Sequence, residues 1–243
     1  MLRTFVALLG IATVAAGCGS QTSEQSLRQP AGAKDPSPPA AGHFSRTNQN
    51  AWFPLRPGTV LVYRGEDEGQ TARDVFTVTH DTKVIQGVRC TVVKDRLYKG
   101  GRLAERTTDW YATADDGTVW YFGEATATFD RSGKLEDREG SWQSGVDGAR
   151  AGIFMPGHPR VGQSGRQEYY KGHAEDHFTV VSLAAHATTP RASSRHALMT
   201  KEFTPLEPGV IDRKLFVRGI GTVIEQTIEG GNERFELVSI RRT

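Results

Sequence analysis

Asp109-Trp110-Tyr111-Ala112-Thr113-Ala114-Asp115-Asp116-Gly117-Thr118-Val119-Trp120-Tyr121-Phe122 decides the fold class of this chain. Two runs of aromatic, β-branched and small residues flank an Asp-Asp-Gly turn, the pattern of a β-hairpin. Two registers are open. A two-residue Asp116-Gly117 loop pairs residues 115 and 118 and puts Trp120 on the face of Tyr111. A three-residue loop with Gly117 left-handed pairs 114 with 118. It gathers Trp110, Ala112, Trp120 and Phe122 on one face and Tyr111, Thr113, Val119 and Tyr121 on the other. The second register is preferred, because it separates an indole-rich dry face from a face whose phenol groups can meet water.

Outward from this hairpin the same grammar repeats. Pro57-Gly58 leads into Thr59-Val60-Leu61-Val62-Tyr63, Gln86-Gly87 into 88–93, and Glu229-Gly230-Gly231-Asn232 into 234–240. Further strands are expected at 74–79, 125–129, 135–139, 166–171, 178–183, 197–203, 211–218 and 222–228. No stretch of this region sustains a helical apolar period, whereas two-residue alternation recurs. Strands joined by short turns pair antiparallel. The expected fold is therefore all-β: a single antiparallel meander over 51–243, forming a strongly curved sheet or an open β-barrel. Residues 140–165 interrupt the pattern with closely spaced glycines, but Trp142, Ile153, Phe154 and Met155 ask for burial. This segment reads as an ordered excursion over one end of the sheet, the natural lid for any pocket there.

Before the domain, Met1-Leu2-Arg3-Thr4 and the apolar run from Phe5 to Ala16 form an export signal too short to span a bilayer. Ala15-Ala16-Gly17-Cys18 resembles the lipobox of bacterial lipoproteins, with Ala15 where leucine is usual. The resemblance implies cleavage after residue 17, diacylglyceryl attachment to the Cys18 thiol and acylation of the new N-terminus. The other reading is an ordinary secretory signal that leaves a soluble protein. Two or more acyl chains anchor durably where one does not. The chain is thus expected outside the cytoplasm, lipid-anchored to the cell membrane or, since Gly19 follows the cysteine, an outer membrane. Residues 18–50, with Pro30, Pro36, Pro38 and Pro39 and only Leu27 and Phe44 as large apolar side chains, read as the lipidated cysteine and a disordered tether.

Composition excludes several functions. Thirty Lys and Arg against 28 Asp and Glu, interspersed, leave no basic block for nucleic acid. Beyond Cys18 the remaining cysteine is Cys90, set in Val88-Arg89-Cys90-Thr91-Val92-Val93, so no disulfide framework is expected and the thiol reads as buried and structural. His173, Glu175, Asp176 and His177 have the composition of a metal site without the helical spacing to converge, and read as a solvated turn. Gly162-Gln163-Ser164-Gly165 is followed by Arg166 and is no nucleophile elbow. No phosphate loop or dinucleotide fingerprint is present, and no cofactor is expected.

Phe53-Pro54-Leu55 with Pro57-Gly58, and the late Val217-Arg218-Gly219-Ile220-Gly221-Thr222-Val223, resemble exported bacterial lipoproteins with a single all-β domain. Some such families resemble the curved, lipid-holding sheets of LolA and LppX. The likeness implies a half-barrel with an apolar concave face. The leading functional expectation is non-catalytic binding of a lipid or other amphiphile, with Trp110, Trp120 and Phe122 lining the site and Trp142 capping it. The alternatives are an interaction protein meeting another envelope component, and a hydrolase using paired carboxylates.

Overall fold

The computed structural model describes residues 37–45, 47 and 49–242; the signal stretch, Cys18 and the first half of the expected tether lie outside them. Fourteen strands follow in order: β1 (Thr59–Asp67), β2 (Gln70–Ile85), β3 (Val88–Lys99), β4 (Arg102–Thr113), β5 (Val119–Thr128), β6 (Trp142–Gln143), β7 (Arg150–Met155), β8 (Ser164–Arg166), β9 (Glu168–Tyr169), β10 (His177–Thr188), β11 (Ser193–Phe203), β12 (Ile211–Val217), β13 (Gly221–Glu229) and β14 (Arg234–Arg242). They form one antiparallel sheet in the order β8-β10-β11-β12-β13-β14-β1-β2-β3-β4-β5-β7-β9, with β6 paired to β5. The all-β expectation holds, and the sheet curls nearly into a barrel.

The central hairpin adopts the three-residue register. Ala112 pairs with Trp120 and Thr113 with Val119. Ala114 N–H donates to Thr118 O at 2.9 Å, and Gly117 sits at φ 82°. That φ belongs to the left-handed region glycine enters without penalty.

The two ends of the strand order are β8 and β9, which are separated in sequence by Gln167 alone. Residues 164–166 pair with β10, whereas 168–169 pair with β7. One short segment therefore serves as both edges and draws the sheet shut. The closure needs Gly152 on β7: a Cβ there would collide with the backbone of Arg166 and Gln167.

The enclosed face carries the larger core. Phe76, Tyr111, Tyr121, Phe154, Phe178, Leu198 and Leu237 come from strands all round the sheet, with Phe53 from the approach to β1, into one buried cluster. An aromatic column runs through it. Phe53 packs on Phe76 and Phe154 (ring centroids 5.8 and 4.4 Å), Tyr111 stacks on Tyr121 at 4.5 Å, and Trp142 stands edge-on to Tyr121 at 5.3 Å. This corrects two expectations. The open concavity implied by the LolA and LppX resemblance is filled. The phenol face, expected to meet water, is the interior, because closing the sheet puts Tyr111 and Tyr121 on the concave side.

The indole face is the convex one. Trp110, Trp120 and Phe122 form a smaller buried cluster with Ile85, Val88, Cys90 and Val92. Residues 37–45 cover it: after a 3₁₀ turn at Ala41–His43, Phe44 bridges Ala114 and meets Phe122 edge-on at 5.7 Å. Part of the stretch read as tether is thus packed on the sheet, with Phe44 as its anchor. Asn50 extends this. Its Nδ2 donates to Gly117 O (2.8 Å) and Pro156 O (2.9 Å), and its Oδ1 accepts from Trp52 N (2.7 Å) and Phe53 N (3.0 Å). One buried amide ties the start of the domain to the hairpin tip and to the loop after β7.

Residues 140–165 differ from the expected excursion. They supply β6 and β7, and β7 extends the sheet beside β5. The expected strand at 135–139 reduces to one bridge, Phe129 to Leu135, and the expected strands 118–122 and 125–129 are the single β5.

Gly152→Val sets a branched side chain against a backbone that cannot retreat without opening the seam. The expected loss is ~2 kcal/mol or more, read by chemical denaturation, with amide exchange rising first at residues 164–169. Unchanged exchange there would show that the seam does not depend on this approach.

Candidate functional site

The barrel interior is apolar at the end nearest the central hairpin tip and acidic towards the other. Its cavity, walled by Phe53, Tyr63, Asp74, Asp95, Tyr111 and Glu225 among others, measures about 40 Å³, room for a water or two but not for an organic ligand. Further along, Asp109, Glu168, Asp176, Glu202 and Lys214 are all buried. Lys214 Nζ lies 2.9 Å from Glu202 Oε2 and 3.4 Å from Glu225 Oε1. Burial alone would push the ammonium pKa down, but those two carboxylates outweigh it and hold the pKa above the usual lysine range. Thr200 Oγ1 donates to the second Glu202 oxygen at 2.8 Å.

The other buried acids are held mainly by neutral donors or by one another. Asp109 Oδ1 accepts from Tyr121 OH at 2.7 Å, yet burial pushes the carboxyl up to about 7. Glu168 Oε2 accepts from Trp142 Nε1 at 2.7 Å. Burial, helped by the Glu124 charge, pushes Glu168 up to about 8. Asp176, hydrogen-bonded to Glu168, is raised by burial and by that neighbour. Raised carboxyl groups mark candidate general acids. Here, however, neither Asp109 nor Glu168 lines the interior cavity or either of the two surface clefts described next.

The larger cleft, about 600 Å³, lies across the rim at the hairpin tip. Trp52, Leu183 and Pro159 give it apolar surface; His158, Arg160 and Arg218 line it too, with Asp115 and Asp116 at the tip. The Arg218 guanidinium lies over the Trp52 ring, 4.9 Å from its centroid. Both acids are engaged: Asp116 accepts from Thr118 N and Oγ1 at 2.9 and 3.0 Å, and Asp115 pairs with His43 at 3.3 Å. The loop after β7 that forms one wall belongs to the segment read as a lid. The second cleft, about 260 Å³, flanks the seam between β7, β9 and residues 37–38.

Of the residues singled out in the sequence, Trp110, Trp120 and Phe122 are brought together, but on the convex face beneath Phe44. The Lys83 ammonium lies over the Trp110 ring at 3.3 Å. Trp142 belongs to the other cluster, inside the barrel. Cys90 is fully buried, and burial pushes its thiol up to about 12. The histidine-rich turn diverges. His173 pairs with Glu139 at 3.0 Å, Glu175 with Arg166 at 3.4 Å, Asp176 turns inward, and His177 stacks on Phe203 at 5.1 Å. No group of metal-ligating side chains converges among the described residues. Sequence reasoning missed the rim cleft: Trp52 carries no motif that singles it out, and its neighbours in the cleft come from distant parts of the chain.

No protein-family model matches the chain, and no curated protein matches it. Two solved structures are similar. One is a Bacteroides fragilis protein assigned as exported, with a YmcC-like fold: 12% identity, TM-score 0.46, covering 79% of this chain and 100% of that one. The other is a Parabacteroides distasonis protein assigned as a lipoprotein: 10% identity, TM-score 0.43, covering 80% and 100%. Neither likeness reaches the level at which it could carry a functional argument.

Two predictions follow from the interior. Lys214→Met leaves Glu202 buried without its cation and is expected to cost ~3–5 kcal/mol; Lys214→Met with Glu202→Leu should recover part of it. Equal losses in the single and double variants, by urea denaturation, would show the pair is not coupled. The second concerns pH. Asp109 and Glu168 bind protons more tightly folded than unfolded, where carboxyls titrate near 4. Their contribution is fully present below that value and is lost as pH rises through about 7 to 8. The melting temperature should fall between pH 6 and pH 9, and Glu168→Gln, which keeps an acceptor for Trp142, should flatten the fall and add ~1–3 kcal/mol at pH 9.

Proposed function

We propose that the chain is a non-catalytic lipoprotein of the bacterial cell envelope, anchored through Cys18, that binds an amphiphilic ligand in the rim cleft. The observation that carries the reading is a contrast of volumes. The interior cavity is about 40 Å³, whereas the rim cleft is about 600 Å³, within the range that small-molecule sites occupy. Trp52, Leu183 and Pro159 suit an acyl or ring portion, and Arg160, Arg218 and His158 suit a polar or anionic head. The signal residues 1–17 and Cys18 support placement outside the cytoplasm on a membrane.

This reading moves the ligand away from Trp110, Trp120, Phe122 and Trp142. In the chain lacking residues 1–18, titration with 1-anilinonaphthalene-8-sulfonate, an anionic amphiphile, should show saturable uptake. Trp52→Ala and Leu183→Ser should each weaken it by about tenfold, or ~1.4 kcal/mol. Trp120→Ala combined with Phe122→Ala should leave it unchanged. Loss only in the latter pair would return the site to the convex face beneath Phe44. No saturable uptake at all would leave the interaction-protein reading in its place.

A further inference from the structure

Successive turns of an antiparallel meander fall at alternate ends of the sheet, so charges interspersed along a chain can still be sorted in space. One end of this barrel carries the tip of the central hairpin, the loop after β7 and the β10–β11 and β12–β13 turns. The approach to β1 and the end of β14 meet there too, since Thr59 pairs with Arg242. This is the end with the rim cleft. Arg56, Arg160, Arg191, Arg218, Arg241 and Arg242 all belong to it, and all six are exposed. Among the described residues none of them pairs with a carboxylate, and Arg218 lies over the Trp52 ring instead. The acids of the hairpin tip, Asp115 and Asp116, are taken up by His43 and Thr118.

The opposite end has the reverse balance. In its connections Glu68, Asp130, Glu136, Glu139, Glu207 and Glu233 outnumber Arg131, Lys134, Arg138 and Lys171. A chain whose formal net charge is only +2 is thus polarised along the barrel axis, positive at the rim. Beside Arg160 stands Val161, at 63% the most exposed large apolar side chain among the described residues. Exposed cations with an apolar side chain among them suit the headgroup region of an anionic bilayer. The arginines run along the rim from β7 across the seam to β1, an arc that meets a flat surface better than it tracks a linear polyanion.

The length of chain before the barrel permits that contact. Nineteen residues lead from Cys18 to Ser37, a contour of at most ~65 Å. Either end of the barrel is within reach of a bilayer, and the charge distribution chooses between them.

We infer that the rim end seats on an anionic lipid surface, so that the rim cleft opens towards the headgroups. This rests on the reading of Cys18 as a membrane anchor and on nothing about the ligand of the cleft.

The test uses the chain from residue 19 onward, co-sedimented with vesicles of phosphatidylcholine, with and without phosphatidylglycerol. Binding should require phosphatidylglycerol and weaken as sodium chloride is raised. Replacing Arg191, Arg241 and Arg242 together by Gln should weaken it at least about tenfold. Replacing Arg131, Lys134 and Arg138 by Gln removes the same charge from the other end and should not. All six side chains are exposed, so both variants should fold. Orientation is read from an environment-sensitive fluorophore on Ser193→Cys at the rim or Ser132→Cys at the far end, Cys90 being buried. A blue shift at 193 and not at 132 supports the proposal. No binding, equal losses in the two triple variants, or a shift at 132 that matches or exceeds that at 193 overturns it. Binding to heparin without binding to vesicles assigns the arginines to a soluble polyanion and overturns it as well. Uptake of 1-anilinonaphthalene-8-sulfonate should be unchanged in both triple variants. Vesicle binding without that uptake would remove the ligand reading and leave this one standing.

Discussion

A sheet of this length has two edges, and an edge is a row of unpaired donors and acceptors that invites other strands. Here both edges belong to one segment, residues 164–169, hydrogen-bonded to β10 through its first half and to β7 through its second. The enclosed core, the separation of a concave from a convex face and the cleft at the seam all follow from that closure. It rests on two backbones passing at a distance that only Gly152 permits.

Closure also dictates what the inside can do. Once the aromatic column from Phe76 to Trp142 is in place, the volume left is far too small for cargo, and the acids beyond it are sealed in. Buried charges of this kind cost stability unless each finds a partner. Lys214 serves Glu202 and Glu225, Tyr121 serves Asp109, and Trp142 serves Glu168.

The hairpin register was legible because Asp115-Asp116-Gly117 names its turn and the residues on either side alternate in chemistry. Which face turns inward was not. Trp110 is 8% exposed and Tyr111 0%, so both faces are dry, and a period of two cannot distinguish concave from convex when water touches neither. β7 was missed because its pairing partners lie on β5 and β9, and Arg150-Ala151-Gly152 has no strand signature of its own. The packing of residues 37–45 hangs on Phe44, one aromatic in a stretch that otherwise reads as linker. Trp142, expected to cap the face of Trp110 and Trp120 from the glycine-rich excursion, is set by β6 on the opposite face, because that segment joins the sheet instead of folding over it. The arginines of the rim could not be read as a patch at all, because residues spread from Arg56 to Arg242 share one end only once the strand order is known.

Cys90 lies at full burial under Val88, Val92 and Trp110, its proton held to about pH 12. A thiol that is neither ionised nor reachable exchanges with no disulfide and captures no oxidant. Cys90 is the sole cysteine among the described residues, so no disulfide braces this sheet, and its cohesion rests on the closed hydrogen-bond ladder and the packed interior.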